Sequence, residues 1–139
     1  MFKLVLASHG KLADGMKDSV QLIVGRSAEI YTICAYVDET VKLENQIEDL
    51  FEKFDDSDEV IVVTDIFGGS VNNEFMNRLQ KGKFWLIAGM NLSLVIELTL
   101  LDSSVDLRAK LLDTIGKCGK EMYFCNALIE GLRDEKEEF

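Results

Sequence analysis

The residue of this chain best suited to covalent chemistry is its only histidine, His9. Residues 2–8 form a short apolar segment that predicts a β-strand, and a helical pattern follows from Leu12. In open α/β sheets ligands bind beyond the carboxyl ends of the strands, so this spacing predicts a functional position for His9. Gly10 lets the backbone turn there without crowding the imidazole. Histidine is nucleophilic near neutral pH and leaves readily once phosphorylated, which suits a phosphoryl carrier; the alternative is a structural histidine.

A carboxylate follows a second buried strand. Residues 60–64 are apolar on both faces, as in a parallel strand, and Asp65 comes directly after them. Because the first and third strands of doubly wound sheets are commonly neighbours, we expect Asp65 beside His9. A carboxylate bonded to one imidazole nitrogen fixes the tautomer and leaves the other nitrogen free to attack. The alternative interpretation of Asp65 is an ordinary turn residue or helix cap.

A glycine-rich turn comes next. Gly68, Gly69 and Ser70 open a predicted helix, whose exposed N–H groups and dipole favour binding of an anion such as a phosphoryl group. The two glycines permit close backbone approach, and the Ser70 hydroxyl adds a hydrogen-bond donor. Alone, this turn is also typical of an ordinary loop with a helix N-cap. Asn91, after the fourth predicted strand, is interpreted as a helix cap rather than a contact to the reacting group.

These residues are positioned by alternating strand and helix patterns in one predicted domain, residues 1–139. Each of the first four predicted strands precedes a helical pattern, which indicates an α/β fold: a doubly wound, mostly parallel sheet with helices on both faces. A short C-terminal edge strand is predicted at residues 122–125, and residues 130–139 are interpreted as a charged, frayed tail. The first four strands are predicted at residues 2–8, 29–37, 60–64 and 84–88.

Charge and cysteine content exclude several classes of function. Lys and Arg total 15 against 25 Asp and Glu, and the net charge of −10 disfavours nucleic acid or anionic membrane as the main partner. The acidic surface suits a basic protein partner; the alternative is that the charge only keeps the protein soluble. With three scattered cysteines and one histidine, we expect no disulfide framework, no metal site and no cofactor. The apolar start lacks a basic leader and no stretch reaches membrane-spanning length, so we expect a cytoplasmic protein without membrane insertion.

Three segments carry a family resemblance: Ser8-His9-Gly10, Asp65-Ile66-Phe67-Gly68-Gly69-Ser70 and Ala88-Gly89-Met90-Asn91. Together they resemble the enzyme IIA component of the mannose family (mannose/fructose/sorbose) of the bacterial phosphoenolpyruvate-dependent sugar phosphotransferase system. The resemblance implies that His9 accepts a phosphoryl group from the phosphocarrier HPr and passes it to a IIB component for coupled sugar uptake. It implies that Asp65 assists His9, and that Ser70 lies near the phosphoryl group. The turns at Gly10, Gly68 and Gly69 complete the predicted phosphoryl-binding set.

The same resemblance implies a homodimer in which a C-terminal strand is exchanged, with residues 122–125 as the candidate. A IIB module is expected to be a separate protein. Three positions depart from the usual family pattern: Ile66 stands in place of threonine, and Val71 and Ser93 stand in place of prolines. These departures bear on loop geometry and partner preference more than on the chemistry.

The main alternative is a receiver-like signalling module phosphorylated on Asp65. Receivers hold magnesium with an acidic pair after the first strand, where this chain has Ser8 and His9. A histidine phosphatase needs an arginine beside its nucleophile and a second histidine, and a flavin module needs a Ser/Thr-rich loop after the first strand. This chain has neither feature, so the phosphoryl-carrier interpretation fits best.

Overall fold

The computed structural model describes residues 2–102 and 106–137. No helix within these two ranges is long and apolar enough to cross a membrane. Four strands alternate with helices, and two further helices complete the described part of the chain. In order, the elements are β1 (Phe2–His9), α1 (Leu12–Val24), β2 (Glu29–Ala35), α2 (Leu43–Phe51), β3 (Glu59–Thr64), α3 (Ser70–Arg78), β4 (Trp85–Ala88), α4 (Leu92–Thr99), α5 (Leu107–Cys118) and α6 (Cys125–Glu137).

The four strands form one parallel sheet in the order β2-β1-β3-β4, which confirms the predicted fold class. β1 pairs with β2 up to His9, opposite Ala35, and with β3 up to Ala7, opposite Thr64. The prediction that β1 and β3 are adjacent strands is therefore confirmed, and all four strands end on the same side of the sheet. We call this side the carboxyl end of the sheet and the opposite side its amino end.

Successive side chains of β1 enter two hydrophobic cores, one on each face of the sheet. Leu4 and Leu6 pack with residues of α1, α4 and α5, whereas Val5 and Ala7 pack with residues of α2 and α3. All four side chains are at most 2% exposed, so helices cover both faces, as predicted. This burial fixes β1 in the centre of the molecule and thereby fixes the position at which its last residue leaves the sheet.

β2 ends earlier than the sequence pattern predicts. The apolar pattern continues to Val37, but the strand stops at Ala35, and Tyr36 adopts a φ of 66°. A residue in the left-handed region cannot continue an extended strand, so the chain turns at Tyr36.

The C-terminal edge strand predicted at residues 122–125 is wrong for the single chain. Residues 122–124 belong to no strand, and Cys125 begins α6. The predicted frayed tail is helical from residue 130 to Glu137, while residues 138 and 139 lie outside the described residues. Residues 122–124 form no strand because a short strand needs a paired neighbour. The tail is helical because the apolar residues 128, 129 and 132 have helical spacing.

Candidate active site

His9 is held at the carboxyl end of the sheet by a tightly bonded turn between β1 and α1. Gly10, with a φ of 60°, donates its N–H to the carbonyl of Ala35 on β2 at 2.8 Å. Ser8 is fully buried; its Oγ accepts the N–H of Ala13 at 2.8 Å and donates to the Gly10 carbonyl at 3.1 Å. The residues on both sides of His9 are thus fixed by hydrogen bonds, while the His9 side chain remains 44% exposed.

Asp65 lies beside His9, where the strand order predicted it. Its backbone N–H donates to the Ala7 carbonyl at 3.1 Å, which continues the pairing of β3 with β1. Its Oδ2 accepts both the backbone N–H of His9 at 2.8 Å and the imidazole Nδ1–H at 2.7 Å. Its Oδ1 accepts the N–H of Ile66 at 3.0 Å. The carboxylate is therefore oriented by three donors and is only 10% exposed.

The charge of Asp65 follows from these contacts. Partial burial would raise the pKa of this carboxyl, but the hydrogen bonds from His9 and Ile66 outweigh burial and hold the pKa below its usual range. Asp65 is therefore ionised at neutral pH and can only accept hydrogen bonds. In the neutral imidazole, Nδ1 of His9 then carries the hydrogen that Asp65 accepts, and the lone pair lies on Nε2.

Nε2 of His9 lies beside two linked hydroxyl groups, of which the sequence predicted only that of Ser70. Ser70 Oγ lies 3.1 Å from Nε2, and the hydroxyl of Tyr36 lies 2.8 Å from Ser70 Oγ. Because Nε2 has no hydrogen in this tautomer, Ser70 donates to it, and Tyr36 can then donate to Ser70. The sequence analysis missed Tyr36. No pattern in the sequence places Tyr36 at a strand end, because the apolar pattern of the predicted strand continues through it to Val37.

The glycine turn brings the start of α3 against the imidazole. Gly68 has a φ of 79°, a conformation that favours glycine. A Cβ on Gly69 would lie 2.8 Å from Ile66 Cγ2 and 3.2 Å from His9 Cε1, so no side chain fits there without displacement. All four predicted phosphoryl-binding residues, Gly10, Gly68, Gly69 and Ser70, therefore lie at the carboxyl end of the sheet with His9.

A buried asparagine holds this turn in place. Asn72 is 1% exposed; its side-chain oxygen accepts the N–H of Gly68 at 3.2 Å, and its amide donates to Thr64 Oγ1 at 2.9 Å. The turn before α3 is thereby bonded to the last residue of β3. Asn72 was not predicted from the sequence, because its burial beside Val71 and Phe75 is seen only in the folded structure.

Asn91 has the structural role that the sequence indicates. Its side chain accepts the N–H of Leu94 at 2.8 Å at the start of α4 and donates to the Cys118 carbonyl at 3.3 Å. It therefore caps a helix and links it to the end of α5.

Among the described residues, no group of three or more His, Cys, Asp or Glu side chains is arranged to hold a metal ion.

The arrangement around His9 is suited to nucleophilic transfer of an anionic group. The His9 side chain is 44% exposed and Nε2 has a lone pair in the neutral ring, while Asp65 faces the opposite ring nitrogen and stabilises positive charge on the imidazole. The first N–H groups of α3 have no partner within the helix, and they start at Ser70 on the Nε2 side. The Ser70 hydroxyl, 3.1 Å from Nε2, is a further donor on this side of the ring.

Two kinds of comparison relate this fold and site to known proteins. Residues 3–115 match the family described as the PTS system fructose IIA component. Among solved structures, a chain from Klebsiella pneumoniae is described as a phosphoenolpyruvate-dependent sugar phosphotransferase system permease. It is 40% identical with a TM-score of 0.84, and the match covers 91% of this chain and 93% of that chain.

Two further solved structures are similar at lower identity. The PTS IIA protein associated with the fucose utilization operon of Streptococcus pneumoniae is 25% identical with a TM-score of 0.75, over 91% of this chain and 95% of that one. The mannose/sorbose specific IIA subunit from Enterococcus faecalis is 26% identical with a TM-score of 0.69, over 88% and 94% of the two chains. The similarity thus extends over nearly the whole of each chain.

Proposed function

The chain belongs to the fructose/mannose IIA family of the sugar phosphotransferase system, and we propose that His9 is its phosphoryl-carrying residue. His9 accepts a phosphoryl group from phospho-HPr and passes it to a IIB component in the cytoplasm, in support of sugar uptake. The observation that carries this proposal is the bonding of the imidazole, with Nδ1 2.7 Å from Asp65 and Nε2 3.1 Å from Ser70. These contacts favour Nε2 as the attacking atom.

The transfer step follows from that bonding. The Nε2 lone pair attacks phosphorus, an N–P bond forms on His9, and the N–P bond of phospho-HPr breaks with its electron pair returning to HPr. The His9 ring gains positive charge as it bonds, and the Asp65 carboxylate stabilises that charge through Nδ1–H. Ser70 and the start of α3 offer donors to the phosphoryl oxygens. Transfer to IIB is the same step with His9 as the leaving group.

HPr is expected to dock on the carboxyl end of the sheet. Ile66 and Phe67, in the loop between Asp65 and α3, are 59% and 76% exposed. Two apolar side chains so exposed beside a reactive nitrogen favour a protein partner that covers them during transfer. The net charge of −10 favours a partner with a basic face. Because a carrier must release its partner after each transfer, the interface should be small and weak.

A homodimer formed through residues 122–125 is the second part of the proposal. Met122, Tyr123 and Phe124 are 92%, 63% and 73% exposed. In the described part of the chain, no strand lies on the outer side of β4, which ends the sheet. Pairing of this segment from a second copy with β4 would bury the apolar side chains and complete the backbone hydrogen bonds of the edge strand.

Phosphoryl labelling tests the role of His9. Incubation with phosphoenolpyruvate, enzyme I and HPr should add one phosphoryl group to each chain, in a bond that survives alkali and breaks in acid. The His9→Ala variant should stay unlabelled, because it has lost the only histidine. Labelling of that variant, or an alkali-labile bond, would contradict the proposal and favour Asp65 as the acceptor.

A further inference from the structure

Tyr36 is the one non-glycine residue with positive φ within residues 2–102 and 106–137. Its φ of 66° is unusual for a bulky aromatic residue, because the Cβ approaches the following carbonyl in this region. Strained backbone of this kind occurs preferentially at functional sites. The strain is located where β2 ends beside His9, since Ala35, the preceding residue, accepts the N–H of Gly10 at 2.8 Å.

Burial does not explain why this conformation is kept. Tyr36 is 55% exposed, so its ring gains little from being packed where it is. The described contacts of the side chain are instead with the active site: its hydroxyl lies 2.8 Å from Ser70 Oγ, and its ring centroid lies 5.6 Å from that of His9. The turned backbone directs the tyrosine across the carboxyl end of the sheet, toward the start of α3.

We propose that Tyr36 is a positioning residue that orients the Ser70 hydroxyl toward Nε2 of His9. This inference rests on the proposed function of His9. A serine hydroxyl has one hydrogen, and it donates toward Nε2 when its oxygen receives a hydrogen bond from elsewhere. The Tyr36 hydroxyl supplies that hydrogen bond, so the chain of donors runs from Tyr36 through Ser70 to His9 and ends at Asp65.

The same orientation serves the phosphorylated state. Once Nε2 is bonded to phosphorus, its lone pair no longer accepts, and the Ser70 hydrogen is free to turn to a phosphoryl oxygen. Tyr36 continues to donate to Ser70 Oγ throughout, so no proton is transferred and only the acceptor of the Ser70 hydrogen bond changes. Without the Tyr36 hydroxyl, the Ser70 hydroxyl would rotate among several directions, and transfer would lose one preorganised donor.

Rapid-quench transfer from phospho-HPr tests this role with four variants. Tyr36→Phe keeps the ring and should slow transfer roughly three- to tenfold, the effect of one neutral hydrogen bond. If Tyr36 acts through Ser70, the double variant Tyr36→Phe/Ser70→Ala should be no slower than Ser70→Ala. Tyr31→Phe is the matched control, because that tyrosine lies on β2 and donates to Glu29 at 3.0 Å, away from His9. A wild-type rate for Tyr36→Phe, or additive losses in the double variant, would overturn the proposal.

A second measurement does not depend on phosphoryl transfer. The ¹⁵N resonance of His9 Nε2 in the unphosphorylated protein reports the hydrogen bond that this nitrogen accepts. Tyr36→Phe should move that resonance in the same direction as Ser70→Ala, whereas Tyr31→Phe should leave it in place. An unmoved resonance in Tyr36→Phe would overturn the positioning role even where His9 is labelled. Labelling of His9→Ala would instead overturn the proposed function and leave this resonance test to decide the role of Tyr36.

Discussion

Asp65 binds His9 twice through one oxygen atom: Oδ2 lies 2.7 Å from the imidazole Nδ1 and 2.8 Å from the backbone nitrogen of the same residue. The first bond sets the tautomer, and the second ties the strand end that carries the imidazole to the end of β3. One carboxylate thereby controls both where the ring lies and which of its nitrogens has a lone pair. This dual role leads to two separate predictions, one for the reaction and one for stability.

Asp65→Asn should slow phosphoryl transfer by about 10²- to 10⁴-fold while the protein stays folded. An amide is neutral, so it stabilises a positively charged ring far less. Its NH₂ group can also donate to Nδ1, which favours the tautomer with the hydrogen on Nε2 and no lone pair there. Stopped-flow transfer from phospho-HPr measures the rate, and circular dichroism checks the fold. Asp58→Asn is the matched control, because Asp58 is hydrogen-bonded and lies just before β3 at the amino end of the sheet. A wild-type rate for Asp65→Asn would reduce Asp65 to a turn residue.

The depressed pKa of Asp65 predicts an acid-dependent loss of stability. Since the folded-state pKa lies below the unfolded value, the stabilisation by this carboxylate is fully present above the unfolded pKa. It is lost as the pH falls through the folded pKa, where the native carboxyl gains its proton. The difference in free energy of unfolding between wild type and Asp65→Asn should therefore shrink as the pH is lowered in urea titrations. A difference independent of pH would contradict this assignment.

Gly69→Ala should impair transfer more than it impairs folding. The added Cβ would lie 2.8 Å from Ile66 Cγ2 and 3.2 Å from His9 Cε1, so the loop or the imidazole must shift. A shift of this size at a reacting atom is expected to cost roughly 10- to 100-fold in rate. Gly15→Ala, in α1 where a Cβ meets nothing within 4 Å, should keep the wild-type rate and gain stability. Equal rates for both variants would show that the turn tolerates a side chain.

The parts of this site that follow directly from strand ends were predictable from the sequence. His9 and Asp65 come immediately after apolar segments, and parallel topology places the ends of neighbouring strands together. Tyr36 was not predictable in the same way. An apolar pattern continues through it to Val37, and only the three-dimensional turn, with its positive φ, directs the hydroxyl to Ser70.

The C-terminal region shows where reading by short segments failed. Residues 122–125 are apolar enough for a strand, but strand formation depends on a partner that the sequence does not identify. α6 was not predicted because the many charges after residue 130 suggested a frayed tail. The helical spacing of Leu128, Ile129 and Leu132 is the feature that agrees with the structure. Asn72 was not predicted because its structural role depends on hydrogen bonds to Gly68 and Thr64, which only the folded turn brings close to it.

Truncation after Gly119 should convert a dimer into a folded monomer. The removed part contains Met122, Tyr123 and Phe124, which are the exposed apolar side chains proposed to bind a second copy. Sedimentation equilibrium of the intact and truncated chains measures the mass in solution, and circular dichroism confirms that the sheet remains. If both chains are folded and contain the same number of subunits in solution, this segment does not hold the dimer.

Phe67→Ser should weaken the association with HPr without changing the chemistry at His9. Phe67 is 76% exposed in the loop after Asp65, so its loss removes apolar surface but leaves the hydrogen bonds of the imidazole to Asp65 and Ser70 in place. We expect transfer at low HPr concentration to fall about tenfold, the effect of roughly 1.4 kcal/mol of lost binding, and to recover at saturating HPr. Association should also weaken as salt rises, because the chain has a net charge of −10.

The control for this prediction is Leu22→Ser, which removes an equally exposed apolar side chain, 82% accessible, from the last turn of α1. α1 runs back from the carboxyl end of the sheet, so Leu22 lies toward the amino end, and its loss should leave the association unchanged. NMR titration with HPr locates the contact directly: resonances of Gly10, Phe67 and the Gly68 turn should shift together. Two results together would refute docking beside His9, even if His9 carries the phosphoryl group. The resonance shifts would be confined to the amino end of the sheet, and Leu22→Ser would weaken the complex whereas Phe67→Ser would not.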